Sequence, residues 1–422
     1  MVLNIMANKK KISVIGCGYV GLPLINSLGN FYQVTGYDID ENRILELKKN
    51  KNSNAVSTSL FKKKMNVNFT SKFDDIKSSS VYIITLPTPL NSKNLPYLDD
   101  IRKLSKKISK ILKKGDLVVY ESTVFPGATE EIFIPDLKKY NKLKLNKDFW
   151  VGYSPERINP GDKINTLENI KKVTSASNLE GLKKVNNIYS KIIKAGIHPV
   201  NKIKIAELSK VLENTQRFVN IALINEIAVL CDNLSISSKE VLKAASTKWN
   251  FINFKPGLVG GHCIAVDPMY LLFKSNKFKF PNDIIYSSQR INKFMSKFII
   301  DKTISEKYKN YPTLILGLAF KPNCRDTRNS GVFDLIRNLN KKGIVPDVYD
   351  PLILDKPKNK LRYNFLKKLI KKNYKNILIA VAHEQIKKLG INQIKNLSND
   401  KKKVKIFDIS SHFDKKNLFF QL

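Results

Sequence analysis

Residues 11–21 read Lys-Ile-Ser-Val-Ile-Gly-Cys-Gly-Tyr-Val-Gly. A β-branched apolar run ends in Gly16, Gly18 and Gly21, spaced GxGxxG around Cys17, Tyr19 and Val20. In such a segment the first glycine allows a tight turn and the second lets backbone approach a pyrophosphate. The third lets the following helix pack on the strand, with the helix N-terminus facing the phosphates. A lone GxGxxG fits any βα turn. Here a strand precedes it, a helix follows, and Asp38 closes the next apolar run, VTGYDID at 34–40, about 20 residues on. A carboxylate at that point accepts from ribose hydroxyls and repels a 2′-phosphate, so NAD is expected rather than NADP.

Outward from this stretch the strand character repeats at SVYIITLP (80–87), LVVYESTV (117–124) and FWVGYSPE (149–156), with helical segments between. That alternation calls for a parallel doubly wound sheet. From Lys202 one long helical period takes over, with Ile205, Leu208, Val211, Leu212, Phe218, Val219, Ala222 and Leu223 predicted to share an apolar face. No strand signal returns before Tyr311, and the helical middle is broken by one glycine-rich loop, FKPGLVGGHC at 254–263. TLILGLAF (313–320), VPDVYDP (345–351), NILIAVA (376–382) and KVKIFDIS (403–410) then read as strands of a second, smaller α/β domain. The expected fold is α/β: two doubly wound Rossmann-like domains, 1–199 and 306–422, joined by a central all-helical section, 200–305, with a long helix. No short repeat is visible, although the two α/β ends could be remote structural relatives.

Composition sets the outer limits. The chain has 422 residues, 42% of them hydrophobic, and 74 Lys+Arg against 36 Asp+Glu give +38. Disorder and a single small module are both excluded. Cys17, Cys231, Cys263 and Cys324 have neither the density of a disulfide scaffold nor the close spacing of a zinc site, so no metal is expected and a reducing cytoplasm fits. The start, MVLNIMANKKK, reverses the order of a signal peptide, and Asn225 and Glu226 interrupt the apolar run IALINEIAVL, so no membrane span is expected. The charge raises a different class, a basic nucleic-acid-binding protein. Lysines come in scattered twos and threes (Lys9 to Lys11, Lys62 to Lys64, Lys401 to Lys403) without aromatic interleaving, which reads as solvated surface.

Three constellations carry candidate chemistry. Lys210 and Asn214 are four apart on the long helix and so share a face; a ligand pair and a solvated Lys beside a polar Asn both fit that spacing. Cys263 ends a loop containing Gly257, Gly260 and Gly261 and is followed by Asp267-Pro268. A thiol there is a nucleophile if a cation such as Lys210 lowers its pKa, or else a small buried apolar residue beside an Asp-Pro turn. Lys321, Arg325 and Arg328 follow TLILGLAF at the strand end where open α/β sheets bind ligands, and arginine forks suit phosphates; a solvated basic loop is the alternative.

Taken together, GCGYVGLP, LPTPLN, ESTVFPGATEE, SPERINPGD, AELSKVLENTQRFVNIALINE, STKWNF, KPGLVGGHCIAVDP, LGLAFKPNCRDTRNS and VYDP resemble, in order, the nucleotide-sugar 6-dehydrogenase family, which oxidises UDP-glucose and related sugars to uronic acids. SPERINPGD, TKWNF and GGHC look like the branch acting on UDP-N-acetylhexosamines, including the Vi-polysaccharide type. The resemblance implies an NAD domain, a helical dimer-forming centre and a UDP-sugar-binding C-terminal domain. It puts NAD on the glycine loop including Tyr19 and Val20, and on Asp38, Arg43, Thr88, Thr123 and Arg328. The sugar nucleotide falls to Glu156, Arg157, Ile158, Lys210, Asn214, Arg217, Gly260 and Lys321. Cys263 becomes the nucleophile, with Lys210, Asn214 and Asp267 as its catalytic companions. The sequence departs from the UDP-glucose branch at Asn159-Pro160, where a second carboxylate is missing, and from the family's commoner pattern at Ala265, Val266 and Met269 around the cysteine.

The implied activity is NAD-dependent, four-electron oxidation of UDP-GlcNAc or UDP-GalNAc at C6, through a Cys263 thiohemiacetal and thioester, in polysaccharide biosynthesis. UDP-glucose 6-dehydrogenase and a two-electron β-hydroxyacid dehydrogenase are the rival enzymes. A soluble cytoplasmic homodimer is expected.

Overall fold

In the computed structural model of the chain, the described residues are 10–51, 66–158, 162, 164–279, 281–304, 310–413 and 418–422. They divide into two compact units, Met1–Glu213 with Met269–Phe280, and Asn214–Pro268 with Pro281–Leu422.

The first unit runs β1 (Lys11–Ile15), α1 (Gly21–Leu28), β2 (Gln33–Tyr37), α2 (Glu41–Lys48), β3 (Val67–Thr70), β4 (Val81–Ile84), α3 (Asp99–Ser109), β5 (Leu117–Tyr120), α4 (Ile134–Lys138), β6 (Trp150–Tyr153), β7 (Lys172–Ala176), α5 (Leu179–Tyr189) and β8 (Ile197–Pro199). One sheet takes the order β3-β2-β1-β4-β5-β6-β7-β8. Its first six strands follow the order of dinucleotide-binding sheets, in which the chain reverses direction of growth beside β1. Ile12, Val14, Val34, Ile83 and Val119 from these strands are buried against Leu24, Ile25 and Leu28 of α1, so one sheet face and the first helix share a core. Pairing is parallel except between β6 and β7. No α-helix separates those two strands, and without a crossover the chain can only return antiparallel. The first residue of β7, Lys172, consequently lies at the carboxyl end of β6.

Next comes α6 (Ile203–Asn233), 31 residues long, and the division between units falls within it. Its apolar residues share one broad face, as expected, but only one flank of that face is covered. Val211, Phe218 and Ala222 are buried, whereas Ile205, Leu208, Leu212 and Leu223 are exposed, with Leu230 extending the exposed set. At 3.6 residues per turn the exposed set lies about 100° round the helix from the buried set, so the two are adjoining flanks of one broad apolar face. The helices α7 (Ser238–Ala245), α8 (Asp267–Asn276) and α9 (Asp283–Thr303) follow. Among the described residues no strand lies between β8 and β9, and no helix is long and apolar enough to cross a membrane.

The second unit's sheet comprises β9 (Thr313–Leu316), β10 (Asp347–Tyr349), β11 (Asn364–Leu366), β12 (Asn376–Ile379), β13 (Lys405–Asp408) and β14 (Phe420–Gln421), with α10 (Val332–Lys341) and α11 (Glu384–Lys395) as its helices. Its order, β11-β10-β9-β12-β13-β14, all parallel, repeats the six-strand order of the first unit. The likeness extends to single bonds. Gly16 (φ 103°) donates its N–H to Tyr37 O at 2.8 Å, and Gly317 (φ 91°) donates to Tyr349 O at 2.8 Å. Asp38 after β2 accepts the N–H of Cys17 at 2.8 Å; Asp350 after β10 accepts that of Leu318 at 2.6 Å. The two α/β ends thus share a local architecture as well as a strand order.

Candidate functional site

In the first unit every candidate ligand residue before α6 lies at, or just past, a carboxyl strand end, where parallel sheets leave a crevice. At the glycine loop a Cβ on Gly21 would stand 1.8 Å from Gly16 O, so only glycine lets α1 pack so closely. Gly18 has nothing within 4 Å of the corresponding position. That open space, at the N-terminus of α1, suits the approach of a diphosphate. Asp38 links the loop to β2 through Cys17 N, and its other oxygen accepts from Asp40 N at 3.1 Å. Arg43 lies beneath the loop: its guanidinium is buried, donating to Cys17 O at 3.1 Å and pairing with Glu46 at 3.0 Å. Burial and the adjacent Asp38 charge raise the Cys17 thiol well above its ordinary range, so it stays protonated.

The turns after β4 and β5 are tied together. Thr88 Oγ1 donates to Thr123 O at 2.7 Å, Ser122 Oγ donates to Leu86 O at 2.7 Å, and Tyr270 from α8 donates to Thr88 O at 2.8 Å. After β6, Glu156 Oε1 accepts the N–H groups of Arg157 at 2.7 Å and Ile158 at 2.8 Å. Its Oε2 accepts from the Lys172 ammonium at 2.8 Å, and Lys172 also bonds Glu121 at 3.0 Å. Burial would push the Glu156 carboxyl up, but the Lys172 charge and these donors outweigh it and hold Glu156 below its ordinary value. Arg157 forks onto Glu213 of α6, Nε to Oε2 at 3.1 Å and Nη2 to Oε1 at 2.7 Å. Lys210, three residues earlier on that helix, is buried, so the solvated reading of this lysine does not hold. Asn159-Pro160 lies outside the described residues.

In the second unit the structure brings two catalytic candidates together: Asn214 Nδ2 donates to Asp267 Oδ2 at 2.6 Å. Asp267 is buried as the first residue of α8, where the helix dipole favours an anion, and its N–H reaches back to Cys263 O at 2.9 Å. Cys263 itself is exposed, which removes the reading of a small buried apolar residue; none of the four cysteines is in a disulfide. The glycines before it meet the turn after β9. Gly261 N donates to Asn329 O at 3.0 Å, and a Cβ on Gly260 would stand 2.7 Å from that same oxygen. Gly261, at φ 86°, passes the Phe320 ring, over which Lys321 Nζ sits 5.6 Å from the centroid. The loop's far end is held by Asn225, whose side chain donates to Gly257 O at 3.0 Å and accepts from Gly257 N at 2.8 Å.

Arg328 is exposed and forks onto the buried Asp326, with Nη2 to Oδ2 at 2.6 Å. His262 Nε2 stands 3.4 Å from the same carboxylate. Although burial works the other way, these two neighbours hold Asp326 well below the ordinary carboxylate range. Arg325 and Arg217 are exposed, and among the described residues no cluster of His, Cys, Asp or Glu could hold a metal ion. Sequence reasoning did not single out Glu121, Lys172, Asp326 or Tyr270. Lys172 carries the one local signal, a charged residue opening a buried strand, KVTSA. Lys210 and the six residues from Gly16 to Gly21 belong to the first unit, and Cys263, Asn214 and Asp267 to the second.

Comparison with known proteins places this arrangement in a family. Residues 10–193 match the NAD binding domain of the UDP-glucose/GDP-mannose dehydrogenase family, 204–294 its central domain and 314–415 its UDP binding domain. The chain is 42% identical over 400 residues to UDP-N-acetyl-D-glucosamine 6-dehydrogenase of Salmonella typhi, covering 93% of this chain and 94% of that protein. It is 45% identical over 400 residues to Protein CapL of Staphylococcus aureus, covering 92% and 94%. Among solved structures, UDP-D-ManNAc dehydrogenase from Pyrococcus horikoshii superposes with a TM-score of 0.82 at 27% identity, over 97% of this chain and 98% of that one. The open second glycine, the strand-end carboxylate and the matched domains identify the cofactor as NAD, and the chain belongs to the UDP-glucose/GDP-mannose dehydrogenase family as an NAD-dependent UDP-sugar 6-dehydrogenase.

Proposed function

We propose that the substrate is a UDP-N-acetylhexosamine, UDP-GlcNAc or UDP-GalNAc, oxidised at C6 to the uronic acid for surface polysaccharide synthesis. The observation that carries this reading is the end-to-end similarity to UDP-N-acetyl-D-glucosamine 6-dehydrogenase. We assign NAD to residues 1–199, including Gly16, Gly18, Tyr19, Val20, Gly21, Asp38, Arg43, Thr88 and Thr123, with Arg328 added from the last domain. The sugar nucleotide is assigned to Glu156, Arg157, Ile158, Lys210, Asn214, Arg217, Gly260 and Lys321, with 306–422 as the UDP-sugar domain and 200–305 as the central one.

When bound, NAD supplies the hydride acceptor. The chain's own residues do the rest. The C6 hydroxyl proton leaves through water held by Asp267, whose carboxylate Asn214 keeps oriented. The Lys210 ammonium and the Asn214 amide stabilise the oxyanion. Cys263, as thiolate, adds to the C6 aldehyde, forming a C–S bond and holding the carbon as a thiohemiacetal, whose oxidation to the thioester would give its hydride to a second NAD. Water then cleaves that bond, giving carboxylate and free thiol. A homodimer in the cytoplasm is part of the proposal; the exposed apolar flank of α6 supports the dimer, which light scattering tests.

The activity test is NADH production across a panel of UDP-sugars. UDP-GlcNAc or UDP-GalNAc is expected to exceed UDP-glucose in kcat/KM, by up to roughly 10⁴-fold where a site hydrogen-bonds the acetamido group. Higher kcat/KM with UDP-glucose overturns the substrate assignment.

A further inference from the structure

Beneath the turns that follow β5 and β6, the first unit buries three charges and a phenol. Lys172 is 3% exposed and Glu121 2%, Glu156 is similarly enclosed, and Tyr189 of α5 is fully buried. Lys172 Nζ bonds Glu121 Oε2 at 3.0 Å and Glu156 Oε2 at 2.8 Å, while the Tyr189 hydroxyl donates to Glu121 Oε1. The ammonium also lies 5.3 Å from the Tyr189 ring centroid. A lone buried ion would be neutralised rather than kept, so a group of this kind holds only as a set. Two carboxylates face one cation, and the set treats them unequally. Glu156 has Lys172 and two backbone donors; Glu121 has Lys172 and the phenol.

We propose that Lys172 is a positioning residue for the reaction: by bridging Glu121 and Glu156 it pins the Glu156 carboxylate and fixes the 156–158 backbone that carries the sugar-nucleotide contacts. The inference rests on the assignment of Glu156, Arg157 and Ile158 to the substrate. Its physical origin is the reversed strand. Only because β7 runs antiparallel to β6 does its first residue reach the carboxyl edge of the sheet. A parallel strand would deliver its last residue there instead. The same reversal lets Arg157 Nη1 donate to Lys171 O at 3.0 Å, so strand start and substrate turn are joined twice. The directions of ionisation agree. Burial, then Glu156, push the Glu121 carboxyl up, with Lys172 opposing, whereas Glu156 ends below its ordinary value. Ionisation is therefore disfavoured at Glu121, beside the Tyr189 hydroxyl, and favoured at Glu156.

The test uses the full chain with the UDP-sugar that the unaltered enzyme turns over best. If it turns over none, the functional reading fails before this inference is reached. Lys172→Met leaves two carboxylates facing each other and destabilises the fold whatever its role, so the decisive variant is Lys172→Met with Glu121→Gln, which also removes the second carboxylate. With its melting temperature restored, this enzyme is expected to retain UDP affinity but lose at least about tenfold in kcat. Its acidic pH limb should move up by about 1 unit or more, as loss of a nearby cation requires. Normal kcat and an unmoved limb would show that the array only supports the fold. Glu121→Gln alone keeps the Lys172–Glu156 bond, so its limb should stay or move down; an upward shift matching that of the double variant overturns the proposal even if the double variant does not fold. Lys172→Arg, which keeps the charge, should hold the limb in place, and a limb displaced as far as with Met also overturns it.

Discussion

Asn214 and Asp267, 53 positions apart in the chain, are joined by a 2.6 Å hydrogen bond from the amide of α6 to the carboxylate that opens α8. The bond orients a buried anion next to the loop ending in Cys263. Asn214→Ala removes a donor to a charged group, worth about 1.5–3 kcal/mol, and kcat should fall about 10- to 100-fold. Asn214→Asp places a second carboxylate beside the first, and the acidic limb of the pH profile should then rise. Steady-state rates from pH 5 to 9 check both, and an unchanged limb in Asn214→Asp would separate Asp267 from the chemistry.

In the proposed mechanism Cys263 sets the stoichiometry. A thiol that holds the aldehyde through two oxidations gives about two NADH per sugar consumed, with uronic acid as product. Cys263→Ser should reduce steady turnover by orders of magnitude while UDP-sugar binding persists, because a hydroxyl is far less ionised than a thiol. NADH absorbance against sugar consumed, with mass spectrometry for a sugar adduct on Cys263, measures this. One NADH per sugar would point to simple alcohol oxidation.

Gly260 is fixed by its neighbours. A Cβ there meets Asn329 O at 2.7 Å and Gly331 N at 3.0 Å, and both are backbone atoms that cannot swing aside. Gly260→Ala should displace the loop carrying Cys263 and lower kcat by about 100-fold, the order expected for a 1 Å misplacement of a reacting group. Normal kcat in this variant would mean that the loop adjusts without moving the thiol.

Asp38 should enforce NAD over NADP through like charge with a 2′-phosphate. Because its carboxylate also accepts from Cys17 N, Asp38→Ala should weaken NAD binding as well as relax the preference. Comparable kcat/KM for NAD and NADP in the unaltered enzyme would contradict the role.

Asp347 provides a pH-dependent part of stability. Burial opposes ionisation, but donation from Lys372 at 2.6 Å, Tyr374 at 2.7 Å and Asn364 at 2.9 Å holds its carboxyl below the ordinary value. With the folded pKa below the unfolded value of about 3.9, this stabilisation is complete above pH 3.9 and is lost as pH falls through the folded pKa. Asp347→Asn should cost about 1–3 kcal/mol at pH 7 and flatten the acid-side slope. Urea unfolding between pH 2.5 and 7 gives both quantities; an unchanged slope would exclude Asp347 as its source.

Local sequence determined the strands and turns of the two α/β units. Apolar β-branched runs and glycine spacing depend only on near neighbours, so β1, β2, β4, β5, β6, β9, β10, β12 and β13 were legible, as were the glycine loop and Asp38. Short polar edge strands such as β3 and β8 were not, because they rely on pairing rather than on their own residues. The family resemblance supplied Cys263, Lys210, Asn214 and Asp267 as a set; spacing alone left Lys210 and Cys263 open. Tertiary structure decided what periodicity cannot express. A 3.6-residue repeat registers apolar residues on α6 without telling its buried side from its exposed one. The antiparallel turn of β7 brings Lys172 to Glu121 and Glu156 across separations of 51 and 16 residues. Charge pairs at such distances in the chain leave no local pattern, because the low dielectric that makes them matter exists only once the strands have closed over them.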